Sequence, residues 1–157
     1  SGGMASKLAA AKIASWSGVR TVIADAERTG VMVDSCEGTV GVGTVVRARE
    51  ATLGARRLWI AFAVGSSGRV TVDAGARRAL EERRVSLLPA GVVAVEGSYE
   101  AGAAVEVCDG DGAVFAKGIV KHDAGLLRAH LGRRSSDLPE GMAHEAIHAD
   151  DLVVLPT

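Results

Sequence analysis

Between two runs rich in β-branched residues, AVEVC at 104–108 and VFAKGIV at 114–120, the chain carries DGDG, and this tetrapeptide constrains the fold more than any other stretch. Asp-Gly steps suit the positive-φ turns of hairpins, so the two runs are predicted to lie side by side and antiparallel. Residues 70–72 and 92–97 read as further short strands. Between these two, AGARRALEERR at 74–84 reads as a helix, with Asp73 placed as its N-cap and Arg77/Glu81 and Arg78/Glu82 at i, i+4 spacing. LLPAG at 87–91 breaks it. Residues 124–131 then look like a short helix ended by Gly132, and a polar loop at 133–142 leads to a last apolar stretch at 143–155. Short strands around one or two helices predict a small mixed β-barrel.

The N-terminal part has a different pattern. Residues 6–18 read as one helix with Ala9, Ile13 and Trp16 on its apolar face and Gly18 as the terminating glycine. VRTVIAD at 19–25 looks like a buried strand, and the helix-then-strand order predicts a parallel α/β unit. Residues 26–42 read as loop, and residues 43–47 and LWIAFAV at 58–64 as two more strands. GSSG at 65–68 is the best linker in the chain. The expected division is therefore 1–64, a linker at 65–67, and 68–157.

Several function classes are disfavoured by composition. With five aromatic residues the chain has few platforms for stacking bases. Residues 68–157 hold ten Lys/Arg against fourteen Asp/Glu, whereas residues 1–67 hold eight against five, so the second part lacks the basic surplus usual in nucleic-acid-binding domains. Cys36 and Cys108 stand far apart without metal-ligand spacing, which fits two buried thiols in a reducing cytoplasm. No apolar run reaches the length of a membrane span, and Lys12 interrupts the N-terminal apolar run that a signal peptide would need.

Two motifs carry potential chemistry. HEAIH at 144–148 has the spacing of a zinc-protease helix, but Pro139 and Gly141 crowd its start, only nine residues follow, and strand geometry would hold the two histidines roughly 13 Å apart. It reads as part of a closing strand. SGGMASK at 1–7 places small residues before a helix, where backbone N–H groups and the helix dipole converge on an anion and Lys7 adds a mobile charge. Asp109 and Asp111 read as turn residues, His122 and His130 as surface residues, and Asp150 and Asp151 as neighbours on opposite strand faces.

In order along the chain, SGGMASKLAAAKIA, GVRTVIAD, GTVV, RRLWIAFA, GRVTVDAGARRAL, SLLPAGVVAVEGSY, FAKGIV, GRRSSDLP and HADDLVVL resemble the C-terminal part of glutamate 5-kinases. The resemblance implies an α/β remnant of an amino-acid-kinase domain followed by a small mixed β-barrel domain of the PUA type. It assigns nucleotide binding to Ser1, Gly2, Gly3, Met4, Ala5, Ser6 and Lys7, with Lys7 stabilising the transferring phosphoryl group; Ser6 stands where threonine is usual and keeps the hydroxyl. The implied cofactors are ATP and Mg²⁺. The complete enzyme would take ATP and L-glutamate and form homo-oligomers in the cytoplasm, with no membrane contact. The family's glycine-rich start, second phosphate-binding lysine and glutamate-binding residues lie upstream of Ser1, so these residues alone are expected to be inactive, whether as a fragment or as one piece of a longer enzyme. An alternative reading is a non-enzymatic RNA-binding PUA module, with Arg77, Arg78, Arg83, Arg84, Arg133 and Arg134 as a basic edge; against it, Glu81 and Glu82 neutralise the helix locally.

Overall fold

The computed structural model describes residues 3–50 and 52–155, which form two compact units, residues 1–58 and 59–157. In the first unit, helix α1 (Met4–Trp16) is followed by strand β1 (Thr21–Ala24), helix α2 (Val31–Glu37), strand β2 (Gly43–Val46) and a short helix α3 (Ala55–Leu58). Gly18 at φ 78° ends α1 as expected: its N–H donates to Ser15 O at 3.1 Å and the N–H of Val19 reaches Ala14 O at 2.9 Å, the paired bonds of a Schellman motif.

Three expectations for this unit are corrected. β1 and β2 pair antiparallel, Ala24 opposite Gly43, because α2 and its flanking turns carry the chain back beside β1. α2 occupies a stretch expected to be loop. It is bounded by Gly30 and Gly38, both left-handed, which start and stop one short helix rather than dissolve the segment. The inner face of α1 is Ala11 and Ser15, whereas Ile13 is 39% exposed. Ser15 Oγ donates to Arg47 O at 2.7 Å and its carbonyl accepts from Arg49 N at 3.0 Å, so small size and hydrogen bonding, not apolar periodicity, seat the helix.

The second unit opens with a π-helical turn, Trp59–Ala63, and continues as β3 (Gly68–Val72), α4 (Ala74–Arg83), β4 (Val92–Gly97), β5 (Ala104–Cys108), β6 (Val114–Val120), α5 (Ala124–Ala129) and β7 (Ile147–Val154). The strands form one mixed sheet in the order β4-β3-β5-β6-β7, with β3 and β5 parallel and the other pairs antiparallel. Val70, Val72, Val105, Val107, Val120 and Ile147 form the fully buried centre of the sheet. Each helix inserts one leucine: Leu80 from α4 and Leu127 from α5 are at most 1% exposed, and such burial contributes about 2 kcal/mol each. Both helices start on an aspartate cap; Asp73 Oδ1 accepts from Ala76 N at 2.7 Å and Asp123 Oδ1 from Leu126 N at 2.8 Å. Gly118 lets β7 approach β6, since a Cβ there would lie 2.7 Å from Ile147 Cγ2.

The DGDG hairpin forms as the sequence requires, and one side chain organises it. Asp109 Oδ1 accepts from Asp111 N at 3.0 Å and Ala113 N at 2.8 Å, while Oδ2 accepts from Arg77 Nη1 of α4. Arg77 also meets Glu81 at 3.2 Å and lies over the Phe115 ring at 5.2 Å. By contrast, the expected strand at 58–64 is helical. The i→i+5 bond from Val64 N to Trp59 O measures 3.1 Å, Ile60 is fully buried, and Lys117, a residue only 9% exposed, donates from its ammonium to Val64 O. Ser67 N donates to Ala104 O at 2.8 Å, so residues 59–67 are tied to the sheet of the second unit. The run is apolar enough for a strand, but what holds it is a buried cation seeking a carbonyl.

Two variants test these anchors. Asp109→Ala should lower the unfolding free energy by about 2–4 kcal/mol and Arg77→Ala by about 1–2 kcal/mol, the smaller cost following from Arg77's exposure, as read by urea denaturation. Lys117→Met should leave strand protection intact yet speed hydrogen exchange at Val64 roughly ten- to a hundredfold, because a hydrogen bond to a charged group contributes about 1.5–3 kcal/mol.

Candidate functional site

The first turn of α1 opens on a cleft of about 380 Å³ lined by Met4, Lys7 and Leu8 of the helix and by Ile23, Ala24, Asp25, Val42, Gly43 and Thr44. The strand residues come together because antiparallel pairing sets the carboxyl end of β1 beside the amino end of β2. Gly43 makes that approach possible: a Cβ there would stand 2.3 Å from Ile23 O. Gly3 caps the helix with extended backbone, and space around it is open, since a Cβ would meet nothing within 4 Å. The N–H groups of Ser6 and Lys7 already bond to Gly3 O, at 3.1 and 3.4 Å. Those of Met4 and Ala5 precede any helical acceptor, so they are the donors the turn offers to an anion.

Of the residues expected to bind nucleotide, Ser1 and Gly2 lie outside the described residues. Met4 and Lys7 line the cleft; Gly3 and Ala5 are exposed and are not among its lining residues. Ser6 Oγ donates to Gly3 O at 2.7 Å, so its hydroxyl braces the turn and retains only acceptor capacity toward a ligand. Sequence reasoning missed the opposite wall, residues 23–25 and 42–44. The signal was available in the general preference of α/β folds for ligand crevices at strand ends, but pairing β1 with β2 required the structure.

An adjoining cavity of about 470 Å³ is lined by Arg20, Asp25, Met32, Ser35 and Cys36 among others, with Arg20 Nη2 donating to Ser35 O at 2.9 Å. In the second unit a groove of about 370 Å³ lies between α4 and residues 85–91. Of the two thiols expected to be buried, Cys36 on the short α2 is instead exposed, whereas Cys108 is buried, and burial pushes its thiol pKa up, as it does the Tyr99 phenol.

HEAIH is not helical. His144 precedes β7, which begins at Ile147, and His148 Nδ1 accepts from Asp150 N at 3.2 Å. His122, expected at the surface, is instead 5% exposed, with Nε2 3.0 Å from Ala143 O. Asp150 faces solvent, while Asp151 turns inward to meet Lys121 Nζ at 3.0 Å, the alternation expected of a strand. The proposed basic edge is reduced, since Arg77 is engaged by Asp109 and Glu81.

Residues 68–142 match the PUA domain family. Across 155 residues the chain is 42% identical to the glutamate 5-kinase of Mycobacterium ulcerans (strain Agy99), covering 98% of this chain and 41% of that protein. It is 44% identical over 154 residues to the glutamate 5-kinase of Mycolicibacterium gilvum (strain PYR-GCK), covering 98% and 40%. A PUA domain solved from Aeropyrum pernix K1 superposes with a TM-score of 0.40 at 28% identity, over 59% of this chain and 49% of that one. The chain spans about two fifths of the length of the curated relatives it matches. Residues 68–142 are thus similar to the PUA domain family, and nearly the whole chain is similar to about two fifths of the glutamate 5-kinases.

Proposed function

We propose that this chain is the C-terminal portion of an enzyme that moves the γ-phosphoryl group of ATP to the side-chain carboxylate of L-glutamate, the first step of proline biosynthesis. The observation that carries the reading is the cleft at the start of α1, lined there by Met4, Lys7 and Leu8, within a sequence 42–44% identical to glutamate 5-kinases. Residues 1–64 would derive from the end of an amino-acid-kinase domain, followed by a linker at 65–67 and the PUA domain over 68–157. The first unit supports this in its packing. Among its described residues the buried apolar ones are Ala11 and Val42, whereas Met4, Leu8, Ile13, Val19, Met32, Val33, Val40 and Val45 are all more than a third exposed. A two-stranded ribbon with so little core is marginal by itself and gains stability by joining a larger sheet.

In this reading the cleft is one wall of the nucleotide site. Phosphoryl transfer needs positioning and positive charge around the equatorial oxygens more than covalent help, so the N–H groups of Met4 and Ala5 orient a phosphate and Lys7 offsets the charge developing on it. Glutamate-binding groups are supplied from elsewhere in the complete enzyme. Mg²⁺ accompanies the nucleotide as a Lewis acid, and the enzyme works as a homo-oligomer in the cytoplasm. Lys7→Ala in the complete enzyme should lower kcat by about 10²–10³ with an unchanged thermal midpoint; wild-type turnover would remove Lys7 from the site.

A second reading rests on the PUA match itself. The domain would bind structured RNA through Arg78, Arg83, Arg84, Arg133 and Arg134, with Arg77 excluded by its bonds to Asp109 and Glu81. A gel shift at moderate salt decides: binding weakened by Arg78→Glu and Arg83→Glu supports it, and no shift leaves subunit contact or regulation as the role of the domain.

A further inference from the structure

An open sheet has two edges, and the second unit covers its two by different means. Beside β7 the main chain takes part: Leu87 bridges Ile147, and Ser86 Oγ accepts from Ala149 N at 3.0 Å. Beside β4 a side chain does it. Arg128 of α5 donates from Nε to Val95 O at 3.2 Å and from Nη2 to Gly97 O. Carbonyls two residues apart on a strand point the same way, and that of Glu96, between them, is turned toward β3, 2.5 Å from where a Cβ on Gly68 would stand. The guanidinium thus occupies the outward acceptors, which are those an added strand would use.

The same edge is complementary to itself. Antiparallel pairing of two β4 strands about a two-fold axis at Val95 sets Val95 opposite Val95 and Ala94 opposite Glu96, so no glutamate faces a glutamate, and the Val95 carbonyl becomes the acceptor at its centre. We propose that Arg128 is an intramolecular lock on the β4 edge, and that its release lets β4 pair with the β4 of a second copy of this chain. Two guanidinium groups must leave for each such pair, so the lock counts twice.

The test is sedimentation of the whole chain over a range of concentrations, for the wild type and Arg128→Met, with hydrogen exchange at the Val95 amide. Methionine keeps an apolar stem and removes the donors; Arg128→Lys, which keeps the charge but has no fork to span two carbonyls, serves with a smaller gain if the first variant unfolds. Self-association of Arg128→Met should be tighter than that of the wild type by about a hundredfold, about tenfold for each guanidinium that need not leave, and exchange at Val95 should slow as concentration rises. In the Arg128→Met background, Ala94→Glu should weaken the association and Ala94→Lys tighten it, since residue 94 faces Glu96 of the second copy. Equal association of variant and wild type, or a gain indifferent to the sign of the charge at 94, overturns the proposal.

Discussion

The Asp109 carboxylate is the group on which the second unit most depends. One oxygen closes the β5–β6 hairpin through two backbone N–H groups, and the other receives the Arg77 guanidinium from α4. A turn thus becomes the docking point of a helix. Because Asp109 is nearly buried, its charge needs these donors, and the same need fixes where α4 lies on the sheet. With α4 so placed, Leu80 enters the core and the 85–91 segment is led to its bridge with β7, Leu87 opposite Ile147.

Lys117 does comparable work at the other end of the unit. A lysine in the middle of β6 has no reason in periodicity to be there, since a strand position so enclosed ordinarily takes an aliphatic residue. Its ammonium satisfies itself on the Val64 carbonyl and so converts the preceding apolar run into a helical cap on the sheet. The flexible-looking GSSG that follows is held as well, through Ser67 and Ala104. A segment that reads as linker can be structured when its backbone groups find acceptors and donors in the neighbouring sheet.

The two units differ in how far their sequences explain them. The second is nearly self-sufficient, with one contiguous apolar core. The first buries little of its apolar surface, and its α1 is seated by Ser15 and by Arg49 stacked 4.2 Å over Trp16, while Ala9 and Ile13 of the expected stripe stay exposed. Patterning arguments assume that apolar faces are buried within the residues at hand, and they fail where those faces are left exposed.

Local chemistry in the sequence settled the strands at 104–108 and 114–120, the Asp73 cap and the stop at Gly18, because each depends on residues within a few positions of one another. It also disposed of HEAIH, whose surroundings could not support a helix. What it left undecided were the long-range pairings. The antiparallel β1–β2 register, Arg77 on Asp109 and Lys117 on Val64 join residues from 19 to 53 positions apart. Such contacts are selected by the free energy of whole packed arrangements rather than by any local preference, so only the tertiary structure decides them.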